Sequence, residues 1–273
     1  MRLESCLLIL LKTINIQVEG AIARTIRSNL PMALDREQTR IMSLSSSPHQ
    51  QSEHTLPQEP IAATRRMVTR SQNGIVIYDD QSIHLSQTKY IADLLERTKM
   101  HDCKPATTPG ATGKALSQYD GEPFEDQTKY RSLVGALQYV TLTRPDIAFA
   151  VNKACQFMHN PTTAHWLSVK HILRYLRGTM QQGLGLNPST NLQVQTYADA
   201  DYASTPDDRR SSSGYCLFLG DNLVSWSATK QKVISRSSAE SEYQGLAIAA
   251  AEIVWTLSLL QELCIPQQAV PIL

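Results

Sequence analysis

Apolar positions fall into three regimes along the chain. From residue 1 to about 66 no period is sustained, and from Ser43 to Thr64 the chain is rich in Ser, Gln, His and Pro, as in Ser45-Ser46-Ser47-Pro48-His49-Gln50-Gln51-Ser52. Such a stretch buries too little apolar surface to offset the entropy of ordering it, so residues 1–66 are expected to be largely disordered, apart from a helix or strand near 7–26. From Met67 short apolar runs begin. Met67-Val68-Thr69-Arg70 and Ile75-Val76-Ile77-Tyr78 flank Asn73-Gly74, a pair favoured in two-residue hairpins. Another short strand is expected over 82–85 after a turn at Asp79-Asp80. Ser86 is then expected to cap a helix carrying Tyr90, Ile91, Leu94 and Leu95 at helical spacing. The Pro, Thr and Gly run over 104–113 reads as a loop.

Residues 127–178 carry the second regime. Tyr130, Leu133, Val134, Leu137 and Val140 form one helical stripe, Pro145 opens a second helix through Met158, and Pro161 opens a third bearing Trp166, Val169, Leu173 and Leu176, ended by Gly178. After Gly185 the period becomes two. Leu192, Val194 and Thr196 lead into Tyr197-Ala198-Asp199, and 214–219 and 223–228 read as two further strands joined at Gly220-Asp221-Asn222. Ser237 onward caps a long Ala- and Leu-rich helix to about Leu263, Pro266 ends it, and Val270 to Leu273 begin another strand. The predicted class is α+β or α/β: a small helical bundle, then an incomplete mixed sheet with one long helix.

Composition narrows the function classes. With 26 Lys and Arg against 25 Asp and Glu, the net charge of +1 offers no long-range pull on nucleic acid or on an acidic membrane, so any nucleic-acid contact must be a local patch. One candidate is the ridge Lys170, Arg174 and Arg177, spaced i, i+4 and i+7 on the third helix; a solvated helix face is the alternative. Five dispersed cysteines form no CxxC pair, and the apolar run at Cys6 to Leu11 is too short for a signal-peptide core or a membrane span. A reduced, unsecreted protein of the cytoplasm or nucleus, without a membrane partner, is expected.

Two acidic pairs stand where chemistry could be built: Asp199 and Asp201 at a strand end, Glu240 and Glu242 in the first turn of a helix. Carboxylates so placed can converge on Mg²⁺, and two such ions can activate water and stabilise the leaving oxygen of a phosphodiester. A structural role for the glutamates, favourable to the helix dipole, is the competing reading.

Four ordered motifs make the pattern specific: Tyr197-Ala198-Asp199-Ala200-Asp201-Tyr202-Ala203, Arg209-Arg210-Ser211-Ser212-Ser213-Gly214-Tyr215, Trp226-Ser227-Ala228-Thr229-Lys230-Gln231 and Ser237-Ser238-Ala239-Glu240-Ser241-Glu242-Tyr243. Together they resemble the ribonuclease H domain of copia-type retrotransposon Pol polyproteins. Upstream, Leu133-Val134-Gly135-Ala136-Leu137-Gln138-Tyr139, Thr143-Arg144-Pro145-Asp146-Ile147-Ala148 and Ile172-Leu173-Arg174-Tyr175-Leu176-Arg177-Gly178-Thr179 resemble the end of the same polyprotein's reverse transcriptase. The resemblance covers residues 67–273 and leaves 1–66 unmatched. It implies the end of a reverse transcriptase over 67–186, with a palm-end hairpin and thumb-like helices, and a ribonuclease H-like domain over 190–273.

The resemblance further implies catalytic and metal-binding roles for Asp199 and Glu242, with Asp201 a further metal ligand. Arg209, Arg210, Lys230 and Arg236, with Lys170, Arg174 and Arg177, would contact an RNA·DNA hybrid or template-primer. Glu240 and Glu242 stand about 200° apart around the helix, so both cannot face one metal, and Glu242 is preferred. The family's third acidic residue comes at the end of the strand that begins at Pro271-Ile272-Leu273, and the polymerase Tyr-x-Asp-Asp hairpin has no match, since Ile77-Tyr78-Asp79-Asp80 is spaced differently. The chain is therefore expected to be inactive alone. Mg²⁺ or Mn²⁺ would bind only at a completed site, and the rest of the Pol polyprotein would be its natural context. A non-catalytic nucleic-acid-binding remnant, or a relic without selected function, is the alternative.

Overall fold

The computed structural model describes residues 75–77, 82–110, 113, 115–267 and 269–273, for 75–77 the backbone alone. The disorder expected over 1–66, the run Met67 to Arg70, Asn73-Gly74 and the turn at Asp79-Asp80 lie outside these residues. The described order is β1 (Ile75–Ile77), β2 (Ile83–Leu85), α1 (Thr88–Arg97), α2 (Gln127–Val140), a 3-10 turn (Pro145–Ile147), α3 (Ala148–Cys155), α4 (Thr163–Gly178), β3 (Leu184–Leu186), β4 (Val194–Asp201), β5 (Ser212–Leu219), β6 (Asn222–Lys230) and α5 (Ser238–Glu262). This is a mixed α+β fold with two small antiparallel sheets, β1-β2-β3 and β4-β5-β6.

The helical bundle forms as its stripes require. Tyr130, Leu133, Val134, Leu137 and Val140 are all buried on α2, and they meet Ile91, Leu94 and Leu95 of α1 and Val169, Ile172, Leu173 and Leu176 of α4 in one cluster. Burying each of the larger side chains contributes roughly 1.5–3 kcal/mol. Asp126 caps α2 by accepting from the Lys129 N–H at 2.8 Å. Ser86 does not cap α1. The N-cap is Gln87, with no side-chain cap bond, so this helix is held by its buried face rather than by its end. Pro145 opens a 3-10 turn before α3, which stops at Cys155, three residues short of the expected end. The strand β3, which no alternating run signals, pairs with β2 as the third strand of the small sheet; a Cβ at Gly183 would collide with the Leu85 carbonyl, so glycine permits that approach.

Arg144 is the largest fully buried side chain among the described residues, 1% exposed. Its guanidinium donates from Nε and Nη2 to the Asp146 carboxylate at 2.9 and 2.7 Å, and from Nη1 and Nη2 to the Thr179 carbonyl and hydroxyl at 2.8 and 2.7 Å. It thereby ties the start of α3 to the end of α4. Burial alone would raise the Asp146 pKa, but the adjacent guanidinium outweighs it and holds the carboxyl below its ordinary value.

His165, also fully buried, completes a capping box at the start of α4. The Thr162 N–H donates to Nδ1 at 3.0 Å, which leaves Nε2 to donate to the Ser117 carbonyl at 3.0 Å, and the ring stacks on Phe157 with centroids 3.8 Å apart. That bonding requires the neutral ring, and burial holds its pKa below the ordinary histidine value.

In the second sheet the strands run longer than their alternating cores, β5 starting two residues earlier than expected and β6 being extended at both ends. The β5–β6 turn is Gly220-Asp221, with Gly220 at φ +58°, and Leu219 pairs with Asn222. Ile272 forms a parallel bridge beside Gln195, its N–H donating to the Val194 carbonyl at 3.0 Å and its carbonyl accepting from the Thr196 N–H at 2.9 Å. The order β6-β5-β4 followed by residue 272 makes this sheet mixed at one edge. Of the described helices α5 alone is long and apolar enough to cross a membrane, by length and composition. Here it packs on the sheet through Ser241, Gly245, Ala249, Ile253, Thr256 and Leu260.

Two outcomes test this account. Arg144→Leu should destabilise the chain by about 3 kcal/mol in denaturant melts, because it strands the Asp146 carboxylate and the Thr179 hydroxyl. For His165 the folded pKa lies below the unfolded one. Its contribution is therefore fully present above about pH 6.5 and is lost as pH falls through the folded value. Melts at pH 7.5 and 5 should show a smaller difference for His165→Asn than for the wild type.

Candidate nucleic-acid and acidic site

The strand β4 runs unbroken through Asp201, so Asp199 and Asp201 share one face with Tyr197, and all three are exposed. The other face carries Val194, Thr196, Ala198 and Ala200. It is this second face that α5 covers: a Cβ added at Gly245 would lie 3.6 Å from the Ala200 Cβ and 3.6 Å from the Ser213 Oγ, and Ser213 is the register partner of Ala200. Asp199 and Asp201 therefore project from the side of the sheet away from the helix that bears Glu242.

Polar bonds fix α5 in that place. Gln231, 3% exposed, donates from Nε2 to the Ser213 Oγ at 2.6 Å and to the Ser241 carbonyl at 2.8 Å, and its Oε1 accepts from the Ser235 Oγ at 3.0 Å. Ser237 caps the helix by accepting from the Glu240 N–H at 3.2 Å, while the Glu240 carboxylate accepts from the Arg236 N–H at 2.8 Å. Farther along, the Glu252 carboxylate accepts from the Ser225 Oγ at 2.8 Å. Glu240 thus has the capping role open to a first-turn glutamate, and Glu242, about 200° round the helix from it, is exposed.

Mg²⁺, expected from the family, needs these carboxylates to converge. Asp199 and Asp201 offer two on one face, Glu242 belongs to a helix on the other, and among the described residues no group of three or more His, Cys, Asp or Glu could hold a metal ion. The donor set, as it stands, does not fit a two-cation centre.

The basic residues divide into two groups. On α4 the Arg174 Nε donates to the Lys104 carbonyl at 2.8 Å, the Arg177 Nε to the His101 carbonyl, and His171 Nε2 lies 3.0 Å from the Thr108 carbonyl. The ridge is a clasp for the 101–108 loop, and Lys170 lies over the Trp166 ring at 5.7 Å. Near the acidic strand, Lys230 Nζ pairs with the Asp208 carboxylate at 2.6 Å and Arg210 with the same carboxylate at 3.5 Å. Burial would raise the Asp208 pKa, but these cations hold it below its ordinary value. Arg209 and Arg236 are exposed, Arg209 in the left-handed region at φ +56°.

One functional candidate escaped the sequence reading. Lys153 of α3 reaches from the bundle to the sheet, its Nζ donating to the Ser212 Oγ at 3.1 Å, and Ser212 is the register partner of Asp201. No local signal in the sequence marks it: Lys153 stands i, i+4 from Phe149, a spacing any solvated lysine can share, and only the fold shows Phe149 51% exposed with Lys153 Nζ 5.5 Å from its ring centroid.

Compared with known proteins, the chain is 48% identical over 191 residues to the retrovirus-related Pol polyprotein from transposon RE1 and 45% identical over 193 residues to that from transposon RE2, both of Arabidopsis thaliana. These matches cover 70% and 71% of the chain and 13% of each relative, so the chain spans about an eighth of their length. It is also 48% identical over 174 residues to the uncharacterized mitochondrial protein AtMg00810 of the same plant, covering 64% of the chain and 72% of that protein. No family model matches the chain, and no solved structure does.

The Gln231 carboxamide gives the prediction of this site. Gln231→Leu, similar in volume but without the amide, should cost about 2 kcal/mol, since it leaves the buried Ser213 hydroxyl and Ser241 carbonyl short of a donor. Hydrogen exchange should quicken most in the first turns of α5.

Proposed function

The chain belongs to the copia-type retrovirus-related Pol polyproteins, and from that premise we propose that it is a reverse transcriptase and ribonuclease H fragment which binds nucleic acid without cutting it on its own. In this reading the bundle from α1 to α4 corresponds to the thumb-like end of the reverse transcriptase, and β4 to α5 to the beginning of a ribonuclease H-like domain. The ancestral activities are RNA-templated DNA synthesis and metal-dependent cleavage of RNA in RNA·DNA hybrids.

The observation that carries the non-cutting part is the disposition of the carboxylates: Asp199 and Asp201 face away from the helix of Glu242. Cleavage by two cations needs carboxylates that hold both ions about 4 Å apart at one phosphodiester. Mg²⁺ or Mn²⁺ enters this proposal only for a site completed by further ligands. Hybrid recognition would run through backbone shape and phosphates, with Arg209, Arg236 and the Lys230–Asp208–Arg210 cluster beside the acidic strand.

The test is incubation of the full chain with a labelled RNA·DNA hybrid in the presence of Mg²⁺ or Mn²⁺, alongside Asp199→Asn. Salt-dependent binding with no cleavage by either protein is expected. Cutting by the wild type that disappears in Asp199→Asn would overturn the non-cutting reading.

A further inference from the structure

The face of the sheet that bears Asp199 and Asp201 is not acidic alone. Lys153 projects onto it from α3, half-buried, and among the described residues it forms no ion pair. Its sole hydrogen-bond partner there is the Ser212 hydroxyl, which also accepts from the Ser204 Oγ at 2.9 Å. The nearby cations are otherwise engaged, since Lys230 and Arg210 share the Asp208 carboxylate. Burial pulls the Lys153 amine below its ordinary pKa, with the Asp201 charge opposing. A half-desolvated ammonium with one neutral partner keeps unused donors and lacks a counter-charge in contact, which is an unfavourable state that an anion would relieve.

The surroundings give that anion a class. Phe149, one helical turn from Lys153, and Tyr197, two residues before Asp199 on its face, are both large exposed rings, 51% and 66% exposed. Tyr197 is held edge-on by Phe218 with centroids 5.9 Å apart. Phe149 stands beside the cation and Tyr197 about 13 Å farther along β4, and a cation with hydroxyls and rings so spaced suits a sugar-phosphate backbone, whose phosphate takes the cation while bases or sugars reach the rings.

We infer that Lys153, with the Ser204 and Ser212 hydroxyls, forms a phosphodiester subsite that the helical bundle contributes to the acidic face of the sheet. The nucleic-acid surface is then composite, bounded by α3 on one side and β4 on the other. This inference rests on the proposed nucleic-acid-binding function and adds to it a contact lying outside the motifs that suggested that function.

The test is binding of the full chain to an RNA·DNA hybrid in the absence of divalent cation, as log Kd against log [KCl]. Lys153→Gln should reduce the slope by roughly 0.7–0.9 and weaken binding several-fold at low salt, as loss of one phosphate contact does. Lys153→Arg should restore the slope, and Lys89→Gln, an exposed change on α1, should leave it at the wild-type value. Thermal melts of Lys153→Gln matching the wild type would exclude a loss of fold as the cause. Wild-type slope and affinity in Lys153→Gln would overturn this inference and leave the proposed function standing. Absence of salt-dependent binding by the wild type would overturn both.

Discussion

The seat of α5 on the second sheet is the constraint on which the arrangement of the site depends, and Gln231 defines it. A carboxamide has two donors and an acceptor, and Gln231 uses them to join β5 through Ser213, the first turn of α5 through the Ser241 carbonyl, and the intervening loop through Ser235. Buried bonds of this kind are individually modest but costly to leave unmade, so they select one seat among the many that a small-residue helix face could slide between. Gly245 and Ala249 let the helix approach closely, and Gln231 fixes where along the sheet it does so. Once Ala200 lies under Gly245, the two-residue period of β4 leaves no choice about Asp199 and Asp201: they point the other way.

That consequence gives α3 its importance. The face turned away from α5 is the one the bundle approaches, through Lys153 to Ser212, through the Trp226 indole donating to the Thr141 carbonyl at 3.2 Å, and through Asp207, which accepts from the Ser117 hydroxyl and from the Gln118 N–H at 2.9 Å. Asn187 and Asn222 exchange two further bonds where β3 leads into the second sheet. These contacts are mostly single hydrogen bonds between otherwise satisfied elements, unlike the apolar cluster inside the bundle. Inside the bundle, Arg144 is the one buried charged side chain among the described residues, and its bonds to Asp146 and Thr179 hold the turn before α3 against the end of α4. The position of Lys153 on the acidic face is thus inherited from a buried guanidinium some distance away.

Much of this fold is legible in the sequence, because its stripes are long and locally consistent. The buried set of α2 is the predicted stripe Tyr130, Leu133, Val134, Leu137 and Val140, and the Ser237 cap lies where the pattern put it; the turn expected over Gly220-Asp221-Asn222 is shorter by Asn222, and the strand expected from Val270 to Leu273 is a single bridge at Ile272. What stayed hidden has one physical cause: it depends on partners distant in sequence. The three residues of β3 carry no period of their own and become a strand by pairing with β2. The α4 ridge reads as free charge until the 101–108 loop supplies carbonyls for Arg174 and Arg177. Ser86 has the chemistry of a cap, but the helix begins one residue too late to use it.

The acidic residues show the same limit at the site itself. Alternation in the sequence correctly places Asp199 and Asp201 on one side of a strand, and helical geometry correctly separates Glu240 from Glu242. Neither periodicity says which side of the sheet the helix will cover, because that depends on contacts such as Gly245 with Ala200 and Gln231 with Ser241, whose partners lie 45 and 10 residues apart along the chain. Two motifs can therefore each be right about its own element while their convergence is decided elsewhere. The same reasoning explains why Lys153 was invisible as a site residue: nothing local distinguishes it from a solvated lysine on a short helix, and its meaning comes from the strand that the fold sets beside it.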